Sequence, residues 1–214
     1  MDVFNRKAMA AIGVAVAATT TLFAAPAQAA AAGQAQVLGE HNSIVRFTAA
    51  AGKANSLVIT VSGRTVTLND QVAIKPGKGC KAVKGDKTKV KCTTAVKPTE
   101  ISVTLGSKND RAHNTTSVPM VAEGGSGNDS LTGGSSHDRL FGGSGNDYLN
   151  GRGGHDAIDG GQGKDFIYGG NGNDYLTGGA GVDTIKGQAG QDTIIGGAGQ
   201  DKISGGAGQD KIKQ

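Results

Sequence analysis

The chain has 214 residues, of which 37 are glycine and none is tryptophan, and only 4% are aromatic, which excludes an ordinary globule packed around a large aromatic core. It carries a net charge of +4 and 36% hydrophobic residues. Much of that hydrophobicity is alanine near the start, and no later segment is apolar enough to cross a bilayer.

The first element reads MDVFNRKAMAAIGVAVAATTTLFAAPAQAAAAG. Arg6 and Lys7 precede an apolar run from Ala8 to Ala25. Pro26 then leads into the small-residue exit Ala27-Gln28-Ala29. This is the layout of a secretory signal peptide over residues 1–29, and the weak, alanine-heavy run favours cleavage over a membrane anchor. The expectation is a mature chain that begins near Ala30, is secreted or cell-wall associated, and inserts in no membrane.

Residues 33–123 are basic, with 13 Lys+Arg against 6 Asp+Glu, whereas residues 124–214 hold 7 against 11. Short β-branched runs mark the basic part: SIVRF at 43–47, SLVITV at 56–61, TVTL at 65–68, TKVKC at 88–92 and EISVTL at 100–105. Ser62-Gly63 and Asn69-Asp70 punctuate them, so the segment reads as a small all-β domain. Cys80 and Cys92 are the only two cysteines, and in an exported chain a single disulfide between them is expected. Eight lysines fall between Lys75 and Lys97. They form either a solvated surface or a patch for anionic polymers. No aromatic side chain is interleaved to stack on bases, so no nucleic-acid partner is expected.

From Gly124 the chain divides every nine residues without a gap: GGSGNDSLT, GGSSHDRLF, GGSGNDYLN, GRGGHDAID, GGQGKDFIY, GGNGNDYLT, GGAGVDTIK, GQAGQDTII, GGAGQDKIS and GGAGQDKIK. All ten units have Asp at position six and Leu or Ile at position eight. Glycine at positions one, two and four permits unusual backbone angles that can turn carbonyl oxygens inward. Carbonyls and carboxylates without His or Cys are hard oxygen donors, the set that calcium takes in flexible coordination of six to eight. Magnesium prefers fewer protein ligands. The histidines at 41, 113, 137 and 155 are not expected to cluster, which argues against zinc or copper.

Positions seven to nine read as a three-residue strand with its middle side chain inward. Two units then make one coil of a parallel solenoid. Its core is Leu131, Leu140, Leu149, Ile158, Ile167, Leu176, Ile185, Ile194, Ile203 and Ile212. Carboxylates stacked along each edge repel one another, so a roll this poor in apolar area is expected to need its ions to fold.

These units resemble the RTX nonapeptide repeats, GGxGxDxUx, of the calcium-binding parallel β-roll. The resemblance implies an all-β protein in which a small β-domain precedes a calcium-dependent roll over 124–213. It also implies that each ion lies between same-edge turns two repeats apart and takes Asp carboxylates and turn carbonyls from both. Carried onto this chain, Asp129, Asp147, Asp165, Asp183 and Asp201 line one edge, and Asp138, Asp156, Asp174, Asp192 and Asp210 the other. Five turns leave four intervals per edge, so about eight ions are expected. Ser136, Arg152 and Gln188 replace glycines of the pattern, and sites on those turns are expected to be weaker. The stretch from AAGKANSLVITVSG to ISVTLGSKND is similar to lead-in domains of exported actinobacterial proteins with such repeats. LGSKNDRAH, Leu105–His113, looks like a decayed repeat with Asp110 at the Asp position and Ala112 at the core position. The roll is therefore expected to begin before Gly124, with the first domain as its cap.

Repeats of this kind often accompany secreted enzymes, but the chain has no HExxH helix and no GxSxG elbow, and an enzyme is not expected. A one-step export module would carry a C-terminal signal beyond the repeats; with the N-terminal signal layout, Sec-type export is expected instead. A third reading is an extracellular adhesin or matrix scaffold whose roll binds a cell-envelope glycan or protein. Phe141, Tyr148, Phe166, Tyr168 and Tyr175 fall in the central repeats and form either a contact patch or cross-strand packing. Lys202, Lys211 and Lys213 flank the last core positions, where edge lysines discourage further strand pairing.

Overall fold

A computed structural model describes residues 32–214. The signal-peptide reading of residues 1–29 lies outside these described residues.

The nine-residue period decides the architecture. Each unit carries one inward Leu or Ile, which cannot form a core alone, so consecutive units alternate between two facing sheets and stack on the unit 18 residues away. Tyr148 pairs with Phe166, Leu149 with Ile167 and Asn150 with Tyr168, all in parallel register. The result is two ten-stranded sheets. One contains Arg139–Ser144, Ala157–Gln162, Tyr175–Ala180 and Thr193–Ala198, and the other contains Tyr148–Gly153, Phe166–Asn171, Thr184–Ala189 and Lys202–Ala207.

Most strands of the roll are longer than the three residues expected, whereas Ser130–Thr132 and Lys211–Lys213 keep to three. Tyr148–Gly153 has six, running from position seven of one unit to position three of the next. Position one faces inward between the sheets, as position eight does, and its glycine leaves room for the turn that follows. Eight of the ten expected core residues, from Leu131 to Ile194, are fully buried. Ile203 is only partly buried, and Ile212 is 50% exposed at the edge of its sheet. That is a correction to the expected core, because among the described residues no strand covers Lys211–Lys213 on its outer side.

Both sheets continue across residues 123 and 124 without interruption. Met120–Ser126 pairs in parallel with Arg139–Ser144 on one side and with Glu100–Ser107 on the other. Glu100–Ser107 in turn pairs with Ile44–Thr48, and Arg111–Asn114 pairs with Ser56–Ser62, again in parallel. Beyond these strands the pairing turns antiparallel, except that Ile74–Pro76 lies parallel to Gly33–Leu38 at the sheet edge. Gly33–Leu38 folds back on Ile44–Thr48, and Ser56–Ser62, Thr65–Asn69, Asp86–Thr93 and Cys80–Val83 pair antiparallel in that order, with Cys80–Val83 at the edge. Phe47, Leu57, Ile59, Leu68, Ile101, Leu105 and Met120 belong to the same apolar cluster as the roll's Leu/Ile ladder. The five runs read from the sequence are strands, while Gly33–Leu38, Ile74–Pro76 and Cys80–Val83 come in addition. Cys80 faces Cys92 in antiparallel register, and the two form a disulfide.

Candidate metal centre

Glycine suits the turns for two reasons. In the turn Gly160–Asp165, Gly161 and Gly163 have φ of 101° and 127°, in the left-handed region that L side chains avoid. The approach of neighbouring turns is also close. A methyl on Gly160 would overlap Asp165 Oδ2 and lie 2.6 Å from the carbonyl oxygen of Gly178 in the next same-edge turn. Methyls on Gly161 and Gly163 would overlap the carbonyl oxygens of Gly143 and Gly145 in the preceding one. The carbonyls at positions two and four therefore face up the stack, and the carbonyl at position one faces down it. Every interval between same-edge turns is lined by backbone oxygens.

The carboxylates complete this lining. On one edge, the backbone N–H of Asp129 donates to Asp147 Oδ1 at 2.7 Å, Asp147 to Asp165 at 2.8 Å, Asp165 to Asp183 at 2.9 Å and Asp183 to Asp201 at 2.9 Å. On the other edge, Asp138 donates to Asp156, Asp156 to Asp174, Asp174 to Asp192 and Asp192 to Asp210, at 2.7 to 3.1 Å. One oxygen of each receiving carboxylate is thus fixed by a neighbouring amide. The other is left over. Oδ2 of Asp129, Asp147, Asp156, Asp165, Asp174, Asp183 and Asp192 is buried with no hydrogen-bond partner. Buried polar atoms are rarely left so, and a repeated column of them marks a place that a cation fits.

Electrostatics agree. Burial raises the pKa of Asp129 to about 6 and those of Asp138, Asp165 and Asp174 to about 7, with the amide hydrogen bonds pulling the other way and neighbouring carboxylates adding to the rise. Burial likewise raises Asp147, Asp156, Asp183 and Asp192 above the ordinary carboxylate value. Among the described residues no three His, Cys, Asp or Glu side chains converge as they would around zinc. The donor set is carboxylate pairs with backbone carbonyls, the oxygen-only chemistry that suits calcium.

The three departures from the glycine pattern behave differently. Arg152 and Gln188 adopt φ of 73° and 81°, so their turns keep the backbone of the others despite the side chain. Ser136 does not: in its turn Gly134 donates its N–H to Asp138 Oδ2 at 2.6 Å, which gives that oxygen a partner its counterparts lack. The site at Asp138 is the altered one.

Position five carries a second ladder that the sequence reading missed. Asn146 N–H donates to Asn128 Oδ1 and Lys164 N–H to Asn146 Oδ1, both at 2.8 Å. On the other edge, His155 N–H donates to His137 Nδ1 and Asn173 N–H to His155 Nδ1, at 2.8 and 2.7 Å. This ladder runs in the opposite sense to the Asp ladder. Its signal was present in the sequence: Asn or His fills position five of the first four units and of the sixth. The expectation that the histidines do not cluster is corrected in part, because His137 and His155 stack with ring centroids 4.9 Å apart. Two repeats separate them, so the register stacks them directly.

The other singled-out residues lie elsewhere. Tyr148 and Phe166 are neighbours on one outer sheet face, 41% and 47% exposed, and Tyr148 packs against Tyr168 at 5.5 Å between centroids. Lys186 lies over the Tyr168 ring at 5.6 Å. Phe141 and Tyr175 are on the opposite sheet, so the five aromatics form no single patch. In the lead-in region Lys81 stands opposite Lys91 across an antiparallel pair.

The model of the RTX calcium-binding nonapeptide repeat (4 copies) matches this chain three times, over residues 123–158, 150–185 and 177–212. None of the curated proteins compared with the chain matches it.

Proposed function

We propose, from a chain whose residues 123–212 are RTX calcium-binding nonapeptide repeats, a secreted protein whose direct activity is to bind about eight calcium ions and to fold on binding them. The observation that carries this reading is the column of buried, unpartnered Asp Oδ2 atoms on both edges. The residues that would hold each ion are two same-edge Asp side chains and the carbonyls between their turns. Asp147 and Asp165 with the carbonyls of Gly143 and Gly145 are one such set. Calcium, when bound, supplies the positive charge and coordination that these oxygens lack.

The chain's own contribution is preorganisation. The amide of each Asp holds the next carboxylate in a fixed orientation, and the glycines let successive turns approach closely enough to share an ion. Without the ions, like charges stack along both edges of a roll whose core is one Leu or Ile per nine residues. That balance favours a disordered repeat region in the absence of calcium and a β-structured one in its presence. Export supports the reading in two ways: the signal-peptide layout of residues 1–29, and a disulfide suited to an oxidising compartment. Outside the cell, calcium at ~10⁻⁴–10⁻³ M matches the affinity range of extracellular modules. In this reading the protein has binding and scaffolding chemistry and no catalytic step.

Calorimetric titration of chelator-treated protein with calcium tests the proposal. About eight ions per chain in that affinity range is the expected result. Absence of binding at millimolar calcium overturns it.

A further inference from the structure

We infer that the calcium column extends one turn into the lead-in region, giving a further calcium site between the turn Leu105–Asp110 and the turn Gly124–Asp129. This rests on the calcium reading above, but Asp110 lies outside the matched residues 123–212.

Four observations carry it. First, Asp110 continues the carboxylate ladder of its edge: its N–H donates to Asp129 Oδ1 at 2.8 Å, and its own Oδ1 accepts from the N–H and side-chain amide of Asn55. Second, Asp110 is 1% exposed, and its Oδ2 is buried with no partner, as in the repeats that follow. Third, the backbone of its turn matches theirs. Gly106 and Lys108, at positions two and four, have φ of 98° and 91°, and Lys108 adopts this angle without being glycine. A non-glycine residue held there needs surrounding structure that fixes it. Fourth, methyls on Gly125 and Gly127 would overlap the carbonyl oxygens of Gly106 and Lys108. Those two carbonyls therefore face the same interval that Asp110 and Asp129 flank.

The opposite edge provides the contrast. There Met120 stands where the next Asp would be, and its N–H closes the ladder on Asp138 Oδ1 at 2.7 Å. Asn114 fills the turn below by bonding Thr116 and Val118. One edge is sealed by protein groups, whereas the other ends on a buried carboxylate oxygen without a partner.

Two residues set the strength of this site. Leu105 replaces the first-position glycine and is buried in the apolar core, and Lys108 holds a strained angle. The ion at Asp110 is therefore the last to fill. Because Asn55 immediately precedes the lead-in strand Ser56–Ser62, that ion ties the roll to the segment preceding it.

Native mass spectrometry of the full chain at saturating calcium chloride counts whole ions. Asp110→Asn keeps an oxygen to accept the Asn55 amide but presents N–H₂ to the interval. It is expected to bind one ion fewer than the wild type, and an equal count overturns the inference while leaving the repeat sites intact. A wild type that binds no calcium overturns both readings together. Lys108→Gly guards against misfolding of the first variant: it relaxes the turn and is expected to lower the calcium midpoint of the last ion at least two-fold. An unchanged midpoint for that ion counts against the site.

Discussion

The backbone N–H of Asp147 donates to Asp165 Oδ1 at 2.8 Å, while Asp165 Oδ2 is buried and has no partner. One carboxylate thus has two oxygens with different tasks: the first joins the turns through an amide, and the second faces the interval where an ion fits. Asp165→Asn separates them. The amide oxygen can still accept the Asp147 N–H, but the other atom becomes a donor. Asp165 borders two intervals, so the variant is expected to bind two ions fewer by native mass spectrometry. Asp159→Asn, on a strand rather than in a turn, is expected to lose none.

The raised carboxylate pKa values fix a sign for pH dependence. In the metal-free roll Asp138, Asp165 and Asp174 hold their protons up to about 7, against 3.8 for an ordinary aspartate. A group that binds protons more strongly when folded favours the fold at low pH and withdraws that support as pH rises through the folded value. Metal-free roll is therefore at its least stable above about pH 7, which is where calcium replaces the proton. Raising the proton concentration must in turn weaken calcium. The calcium midpoint, read by circular dichroism, is expected to move to higher concentration between about pH 8 and about pH 5.5. A midpoint independent of pH contradicts the assignment of these carboxylates as ligands.

Glycine at position one is a matter of space. A Cβ on Gly160 would overlap Asp165 Oδ2, whereas a Cβ on Gly153, at position three, meets only the Asn171 carbonyl at 3.9 Å. Gly160→Ala is expected to cost about 1–3 kcal/mol of stability in the calcium-loaded protein and to weaken ion binding on that edge. Gly153→Ala is expected to stay within about 0.5 kcal/mol. Thermal unfolding at saturating calcium distinguishes them, and equal effects would remove the spatial argument.

Gln188 offers a substitution in the stabilising direction. Its φ of 81° at a glycine position costs roughly 1–2 kcal/mol for an L residue. Gln188→Gly relieves this, and the greater freedom of glycine in the unfolded chain returns about 0.4–1 kcal/mol of it. A net gain of about 1 kcal/mol in the loaded state is expected from the same unfolding experiment. Destabilisation would show that the Gln188 side chain makes contacts worth more than the strain.

The site was legible in the sequence to the extent that the period was. A strict nine-residue unit that alternates between two faces places Asp147, Asp165 and Asp183 on one edge whatever the details of the strands. The same logic holds for Leu149 above Ile167. What the period does not encode is which atoms each residue uses. Nothing in the repeat distinguishes Oδ1 of Asp165 from Oδ2, and His137 and His155 are far apart in sequence yet meet because 18 residues make one coil. In the lead-in region the strand Gly33–Leu38 buries only Ala35 and Val37 among its hydrophobics, too weak an alternation to read. The turn at Asp110 was legible as a decayed repeat, but Lys108 hides its left-handed angle behind a residue that rarely adopts it.

In the proposed function, calcium binding and the folding of residues 124–213 are one equilibrium. Far-UV circular dichroism of the full chain, recorded first in excess chelator and then through a calcium titration into the millimolar range, tests it most directly. A spectrum dominated by disorder is expected to convert cooperatively to β-structure as calcium is added, and to revert on chelation. A β-rich spectrum that is the same in chelator and in calcium would contradict it.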